Sequence, residues 1–311
     1  MSSRPDQVDQ LSTEQVRPDL ADLDTRSPSE LVDLMLDAES RVPAAVAGAR
    51  TQIVAAVALA EQALGAGGRL IYVGAGTPGR LAALDAAECP PTFGTAPEKV
   101  VAVLAGGGTA AAAAVEGAED RADAGRDDLA ALVVTEHDLV VGITASGRTP
   151  YVLAALEEAR DRGARTVGIV NNPRSPVSRL AEITIELLTG PEVLAGSTRM
   201  TAGTAQKVVL NALSTSAMIR LGRSYGAWMV DVRASNDKLR RRARRLLREA
   251  AGVSDETAQR ALADSGWETK TALVSVLAGV DVATARSLLA AGNGRVRAAL
   301  AEPLPSVETR R

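Results

Sequence analysis

From residue 69 to about residue 220 the chain alternates between two textures. Short runs in which nearly every position is apolar are separated by longer stretches in which apolar residues recur every three or four positions. The runs "RLIYVGAG" (69–76), "KVVAVLAGGG" (99–108), "DLVVGITASG" (138–147), "RTVGIVNNP" (165–173) and "EITIELLTG" (182–190) predict strands buried on both faces. Between them, 79–88, 109–129, 149–163 and 201–222 predict helices, the second closed near Gly125 and the third stopped at Gly163. Strand and helix in strict succession, with short connections, predict an α/β fold: a three-layer αβα sandwich around a mainly parallel sheet.

The flanks differ. Residues 1–29 are rich in Asp, Ser and Pro and lack periodicity, which predicts a poorly ordered or extended lead-in. "SPSELVDLMLDAESRV" (27–42) predicts a helix with Ser27 or Ser29 as N-cap and Leu31, Leu34, Met35 and Ala38 on one face. A second helix, 46–65, ends at the glycines from Gly65 to Gly68. Beyond residue 236, "NDKLRRRARRLLREAAG" reads as a basic helix, followed by three short helices punctuated by Gly266, Gly279 and Gly292. The expected organisation is therefore an N-terminal lead-in and helix (1–55), an α/β domain (56–235) and a small all-helical domain (236–311).

Composition narrows the chemistry. Apolar residues make up 46% of the chain but aromatics only 2%, so the core is expected to be Ala, Val, Leu and Ile. A formal net charge of -3 offers no bulk attraction for nucleic acid or an anionic membrane, and no apolar stretch approaches a membrane span. Neither partner is expected, and the chain reads as soluble and cytoplasmic. In the basic stretch from Lys238 to Arg248 there are no interleaved aromatics and the charges recur on every face, which predicts a solvated helix paired with acidic neighbours. With one cysteine, Cys89, and one histidine, His137, the chain has no intrachain disulfide and no His-rich metal site, so acid/base work falls to Asp, Glu, Lys or Tyr. Cys89 reads as a small buried apolar residue and His137 as a surface loop residue.

Three polar turns precede helices. Gly74 to Gly79 matches the spacing of a dinucleotide-binding loop and includes Gly76 and Thr77, but the next strand ends in "VLAGGGTA" without the carboxylate that would hold a ribose. Ser146, Gly147, Arg148 and Thr149 form a second turn before Pro150, and Ser197, Thr198 and Arg199 a third, with Lys207 inside the following helix. Hydroxyl and glycine turns at strand C-termini, opening onto helix N-termini, suit a phosphate monoester. Ser197 and Thr198 equally suit helix capping, and Arg148 a plain surface position.

Two carboxylates stand apart. Glu88 is expected to end its helix, held rigid by Pro90 and Pro91; it reads either as a positioned catalytic acid or as the partner of Arg80. Glu119 lies among alanines and glycines behind a triple-glycine turn; it reads either as catalytic or as part of a solvated face with Glu116, Asp120 and Arg121.

The segments "GRLIYVGAGTPGRLAALDAAECPPTFG", "AVEGAEDRADAG", "VVGITASGRTPYV" and "GSTRMTAGTAQKVVLNALST" followed by "MVDV" resemble the N-acetylmuramic acid 6-phosphate etherases, cytoplasmic enzymes built on the sugar isomerase (SIS) fold. The resemblance runs from about residue 30 to the end and implies a ubiquitin-associated-type helical module at the C-terminus. It implies cleavage of a lactyl ether in a sugar phosphate without metal or organic cofactor, in a homodimer whose site is completed by the partner subunit. By motif, Glu88 corresponds to the proton donor and Glu119 to the second catalytic acid, the base at C2. A donor must keep its proton near neutral pH, so partial burial of Glu88 is expected. Thr77, Ser146 and Thr149, then Ser197 and Thr198, correspond to the phosphate contacts. Pro78 and Thr201 depart from the family pattern, where serine and lysine are common. A non-catalytic sugar-phosphate sensor and an aldose-ketose isomerase are the alternatives within reach of the same residues.

Overall fold

In the computed structural model, which describes residues 10–232, 234 and 236–301, the chain forms two compact units. The first comprises Met1–Ala87 and Pro97–Thr215, the second Glu88–Ala96 and Ser216–Arg311. Residues 1–9 of the lead-in and the last ten of the C-terminal region lie outside the described residues.

The first unit is built on five parallel strands, β1 (Leu70–Gly74), β2 (Val100–Leu104), β3 (Leu139–Thr144), β4 (Arg165–Val170) and β5 (Ile183–Glu186), in the order β2-β1-β3-β4-β5. Every residue of β1 and β3 is buried, as continuous apolar runs require. Ahead of the sheet lie α1 (Pro28–Glu39), α2 (Val42–Gly48) and α3 (Arg50–Gly65). Helix α4 (Gly76–Phe93) follows β1, α5 (Ala122–Ala130) precedes β3, α6 (Pro150–Asp161) joins β3 to β4, and α7 (Thr201–Arg220) follows β5.

Alternation along the strands sorts the layers. Ile71, Val73 and Val140 pack with Leu129 of α5 and Tyr151, Val152, Ala155 and Leu156 of α6. On the opposite face α3 packs on β1, β3 and β5, and the Tyr72 hydroxyl donates to Asp85 of α4 at 2.9 Å. Asp85, itself buried, also accepts from Asn211 (2.8 Å) and Ser214 (3.1 Å) of α7. One carboxylate thus ties β1, α4 and α7 together, and the three-layer sandwich is as expected.

Four local expectations are corrected. The lead-in is not loose where it is described: Leu11 and Thr13 are buried, while Ser27 caps α1 as expected, in a capping box with Glu30. Residues 109–129 are not one helix. Gly117 sits at φ +69, short 3-10 turns cover Gly108–Ala111 and Ala118–Asp120, and α5 begins only at Ala122. Gly125 lies inside α5, where a Cβ would come within 2.1 Å of the Tyr151 carbonyl oxygen, so it serves the close packing of α5 on α6. Finally, α4 does not end at Glu88 but runs through Pro90 and Pro91 to Phe93. Its last turn is closed by the Gly94 N–H on the Pro90 carbonyl (2.9 Å) and anchored by buried Cys89 and Phe93.

The second unit contains a short hairpin, β6 (Ser224–Tyr225) and β7 (Trp228–Met229), and the helices α8 (Asp237–Ala251), α9 (Asp255–Asp264), α10 (Thr269–Ala278), α11 (Val282–Ala291) and α12 (Val296–Ala299). Asn236, Ser254 and Asp281 cap three of these helices, and Gly252 and Gly279 end two in the left-handed conformation that glycine adopts without cost. The charges of α8 do not occupy every face. Ala243, Leu246 and Leu247 are buried, while Arg244, Arg245 and Arg248 pair with Asp255 and Glu249. Arg240 stacks over the Trp267 ring, 4.8 Å from its centroid. Among the described residues no single helix is long and apolar enough to cross a membrane.

Candidate active site

In a parallel sheet of this order the connections run to opposite sides of β1 and β3, leaving a crevice at the C-terminal ends of those two strands. The turns that leave β1 and β3 there carry the first two groups of candidate residues. β1 passes into α4 through Ala75 alone, and Gly79 of the first helical turn packs on the end of the strand: a Cβ on it would sit 2.7 Å from the Gly74 carbonyl oxygen. Pro78 falls in this first turn, where its missing N–H has no intrahelical partner to lose. Gly76 (φ +58) is exposed and Thr77 half-buried.

The turn after β3 is internally braced. Thr144 Oγ1 lies 2.8 Å from Thr149 Oγ1 and 3.4 Å from Ser146 Oγ, and it accepts the Gly147 N–H at 3.3 Å, while Ser146 Oγ accepts the Arg148 N–H at 3.2 Å. Gly147 (φ +68) is pressed against the loop after β4, where a Cβ would meet the Ser175 side chain at 2.3 Å. α6 starts here with Thr149 as N-cap, Pro150 at its first position and no side-chain cap. The N–H groups of its first turn are therefore available to an anion.

In the third turn Thr198 helps cap α7 through its carbonyl, which accepts the Gly203 N–H at 3.0 Å, but among the described residues neither the Ser197 nor the Thr198 hydroxyl caps the helix. The first two N–H groups of α7 donate to Glu192, Thr201 at 3.1 Å and Ala202 at 2.9 Å. Glu192 is 1% exposed, and sequence reasoning passed over it. Its only signal was a carboxylate nine residues ahead of a helix start, too distant for a capping box. Ser197 and Thr198 are half-buried with their hydroxyls uncommitted to the helix. This turn meets the first one: a Cβ at Gly203 would lie 3.4 Å from both the Thr198 carbonyl oxygen and Thr77 Cγ2. Lys207 is exposed on α7 and makes no ion pair among the described residues.

Glu88 lacks the Arg80 partner considered for it, whereas Glu119 lies exposed with Glu116, Asp120 and Arg121, as the solvated-face reading has it. Arg80 donates instead to the carbonyls of Ala110 (2.9 Å) and Ala113 (3.1 Å), fastening the loop after β2 to α4. Arg121 pairs with Asp123 rather than with Glu119. Glu119 is exposed on its 3-10 turn, which packs against α6. Glu88 is exposed on α4, so the described residues of one chain do not supply the expected partial burial. Cys89 is buried and His137 exposed, as expected. A separate cleft of about 730 Å³, lined by Arg41, Gln52, Thr184, Glu186 and Leu188 along α2, α3 and β5, includes none of the candidate residues.

Comparison with known proteins identifies the family. Residues 51–160 match the glucokinase regulatory protein N-terminal SIS domain, and residues 121–216 match the SIS domain. N-acetylmuramic acid 6-phosphate etherases from Streptomyces avermitilis (52% identical, covering 95% of this chain and 95% of the relative), Rubrobacter xylanophilus (53%, covering 96% and 98%) and Mycolicibacterium smegmatis (50%, covering 93% and 97%) align almost end to end. The chain belongs to the N-acetylmuramic acid 6-phosphate etherase family. For a member of this etherase family, both glutamates of the motif reading stand in the sequence at positions that no internal ion pair or hydrogen bond of the described residues occupies.

Proposed function

We propose that the protein is a carbon–oxygen lyase that cleaves the D-lactyl ether of N-acetylmuramic acid 6-phosphate, yielding N-acetylglucosamine 6-phosphate and D-lactate. The observation that carries this reading is the likeness to etherases over nearly the whole of both chains. In the open-chain sugar the C3 ether lies β to the C1 aldehyde. Glu119 takes the C2 proton, the enolate that forms expels the lactate oxygen from C3, and Glu88 protonates that oxygen as it leaves. Glu88, now a carboxylate, then activates water for addition at C3, and the proton returns to C2. The phosphate is held by the Ser146–Thr149 turn and the open N-terminus of α6, with Thr77, Ser197 and Thr198 beside it and Arg148 and Lys207 supplying positive charge.

A homodimer completes the site. Leu84 is 54% exposed one turn before Glu88 on the same face of α4, and Val208 is 37% exposed on α7, which Asn211 ties to α4. An apolar face of this kind is suited to a second copy of the chain, which would also cover Glu88.

The test is D-lactate release from N-acetylmuramic acid 6-phosphate by the purified protein, the Glu88→Gln and Glu119→Gln variants, and a mixture of the two. We expect each variant to lose roughly 10²- to 10⁴-fold in kcat. Part of the activity returns on mixing if the two glutamates reach one sugar from different subunits. Binding without turnover, or ketose formation from a hexose phosphate, would overturn the reading.

A further inference from the structure

The residues that hold the candidate turns in place come from a stretch of chain that carries none of the chemistry. Ser12 donates both its N–H and its hydroxyl to Asn172 Oδ1, each at 2.9 Å. Asn172 Nδ2 in turn donates to Thr13 Oγ1 and to the Ala145 carbonyl, each at 3.0 Å. Asn172 is 1% exposed, and its oxygen and both amide hydrogens are engaged. The Thr13 carbonyl accepts the Gly196 N–H at 3.2 Å, and Thr13 is wholly buried. Ala145 immediately precedes Ser146, and Gly196 immediately precedes Ser197. Residues 12 and 13 therefore stitch the turn after β3 to the turn before α7 through a single asparagine.

The neighbouring residue tightens the same seam. The Asn171 N–H donates to the Ala145 carbonyl (3.0 Å), its Nδ2 to the Leu187 carbonyl (3.0 Å), and its Oδ1 accepts from Gln206 Nε2 of α7 (2.8 Å). All of these bonds lie within the first unit. A ligand gripped by two turns is bound only as well as their spacing is fixed, and a largely buried network of amide and hydroxyl hydrogen bonds fixes spacing better than exposed side chains do.

We propose that Ser12, Thr13 and Asn172 are positioning residues for sugar-phosphate binding, setting the distance between the Ser146–Thr149 turn and the Ser197–Thr198 turn. This role rests on reading those turns as the phosphate site. Asn172→Asp keeps the shape but replaces the donor to Ala145 with an acceptor, and a backbone carbonyl, unlike the Thr13 hydroxyl, cannot turn round to donate.

The experiment compares full-length Asn172→Asp, Asn172→Ala and the double variant Ser12→Ala/Thr13→Val with the unmodified protein. KM in lactate release, the Kd for N-acetylglucosamine 6-phosphate by calorimetry, and Tm are measured for each. We expect KM and Kd to rise together by about 10-fold or more, with kcat at saturation within about threefold. Val134→Ala, a core substitution under α6, serves as the control for lost stability and leaves KM unchanged. Unchanged KM and Kd in the three variants below their Tm, or an equal rise in Val134→Ala, overturns the role. Should the Asn172 variants fail to fold, the double variant, whose Ser12 is only half-buried, decides alone. Ser146→Ala separates the two levels. If it leaves Kd unchanged, the phosphate-site reading falls and the positioning role with it; if it weakens binding while the three variants do not, only the positioning role falls.

Discussion

The two ends of the central sheet are finished in opposite ways. Below the N-terminal ends of β1 and β3, Arg69 and Asp138 satisfy each other almost completely. The Arg69 N–H and Nε donate to Asp138 Oδ1 (2.9 and 3.0 Å), Nη2 donates to Oδ2 (2.7 Å), and Nη1 donates to the Leu132 carbonyl (3.0 Å). The Thr135 N–H supplies a further bond to Asp138, which is 2% exposed. Above the C-terminal ends the groups are mostly hydroxyls and amides, and several retain unused capacity. Ser175 Oγ, Thr189 Oγ1, Thr201 Oγ1 and Gln206 Oε1 are buried without a partner among the described residues. A closed ion pair serves the fold, whereas spare hydrogen-bonding capacity beside open turns is what a polar ligand or its waters can use.

The largest break of this comparison is Arg69→Met, which strands the Asp138 carboxylate. A loss of about 3–5 kcal/mol in unfolding free energy is expected, with KM unchanged, read by urea denaturation and lactate kinetics. The same pair has a pH signature. Burial pushes the Asp138 carboxyl up, but the Arg69 guanidinium and the N–H groups of Thr135 and Arg69 more than offset this and hold it below the usual carboxylate range. The stabilisation is thus fully present above the unfolded value of about 3.9 and is lost as pH falls through the lower folded value. Denaturation between pH 7 and pH 2 should therefore show a steep acid loss that Arg69→Met flattens.

At the other end, Ser146→Ala with Thr149→Val is expected to reverse the pattern: sugar-phosphate Kd weaker by about 10-fold and Tm changed by only a few degrees. The smallest effect sharpens the contrast. Glu182→Gln breaks the exposed Arg165–Glu182 pair near the N-terminal ends of β4 and β5, and less than about 1 kcal/mol is expected from it. A larger loss would mean that location at that end, rather than burial of the pair, makes an ion pair matter.

Much of this fold is legible in the sequence. Continuous apolar runs mark strands covered on both faces, and all five strands stand where the runs put them. Several misreadings share a physical cause: they depended on a neighbour distant in sequence. Gly125 resembles a helix stop until Tyr151 lies against it, and the alanine-rich stretch resembles a helix until Gly117 turns left-handed beside α6. Pro90 and Pro91 resemble an end because the anchoring of Cys89 and Phe93 has no local signature. At the candidate site the hydroxyl turns were visible as motifs. The residues that brace them, Asn172, Glu192 and Thr13, were not, since the backbone and hydroxyl groups they bond are brought near only by the fold.

Ser12 and Asn172 are 160 positions apart. A chain emerging from the ribosome therefore exposes Ser12 and Thr13 long before Asn172 exists for them to hold, and the contact closes only after four strands have been made. Both residues wait until residue 172 has been made, their loop-closure entropy unrecovered, and are fastened late.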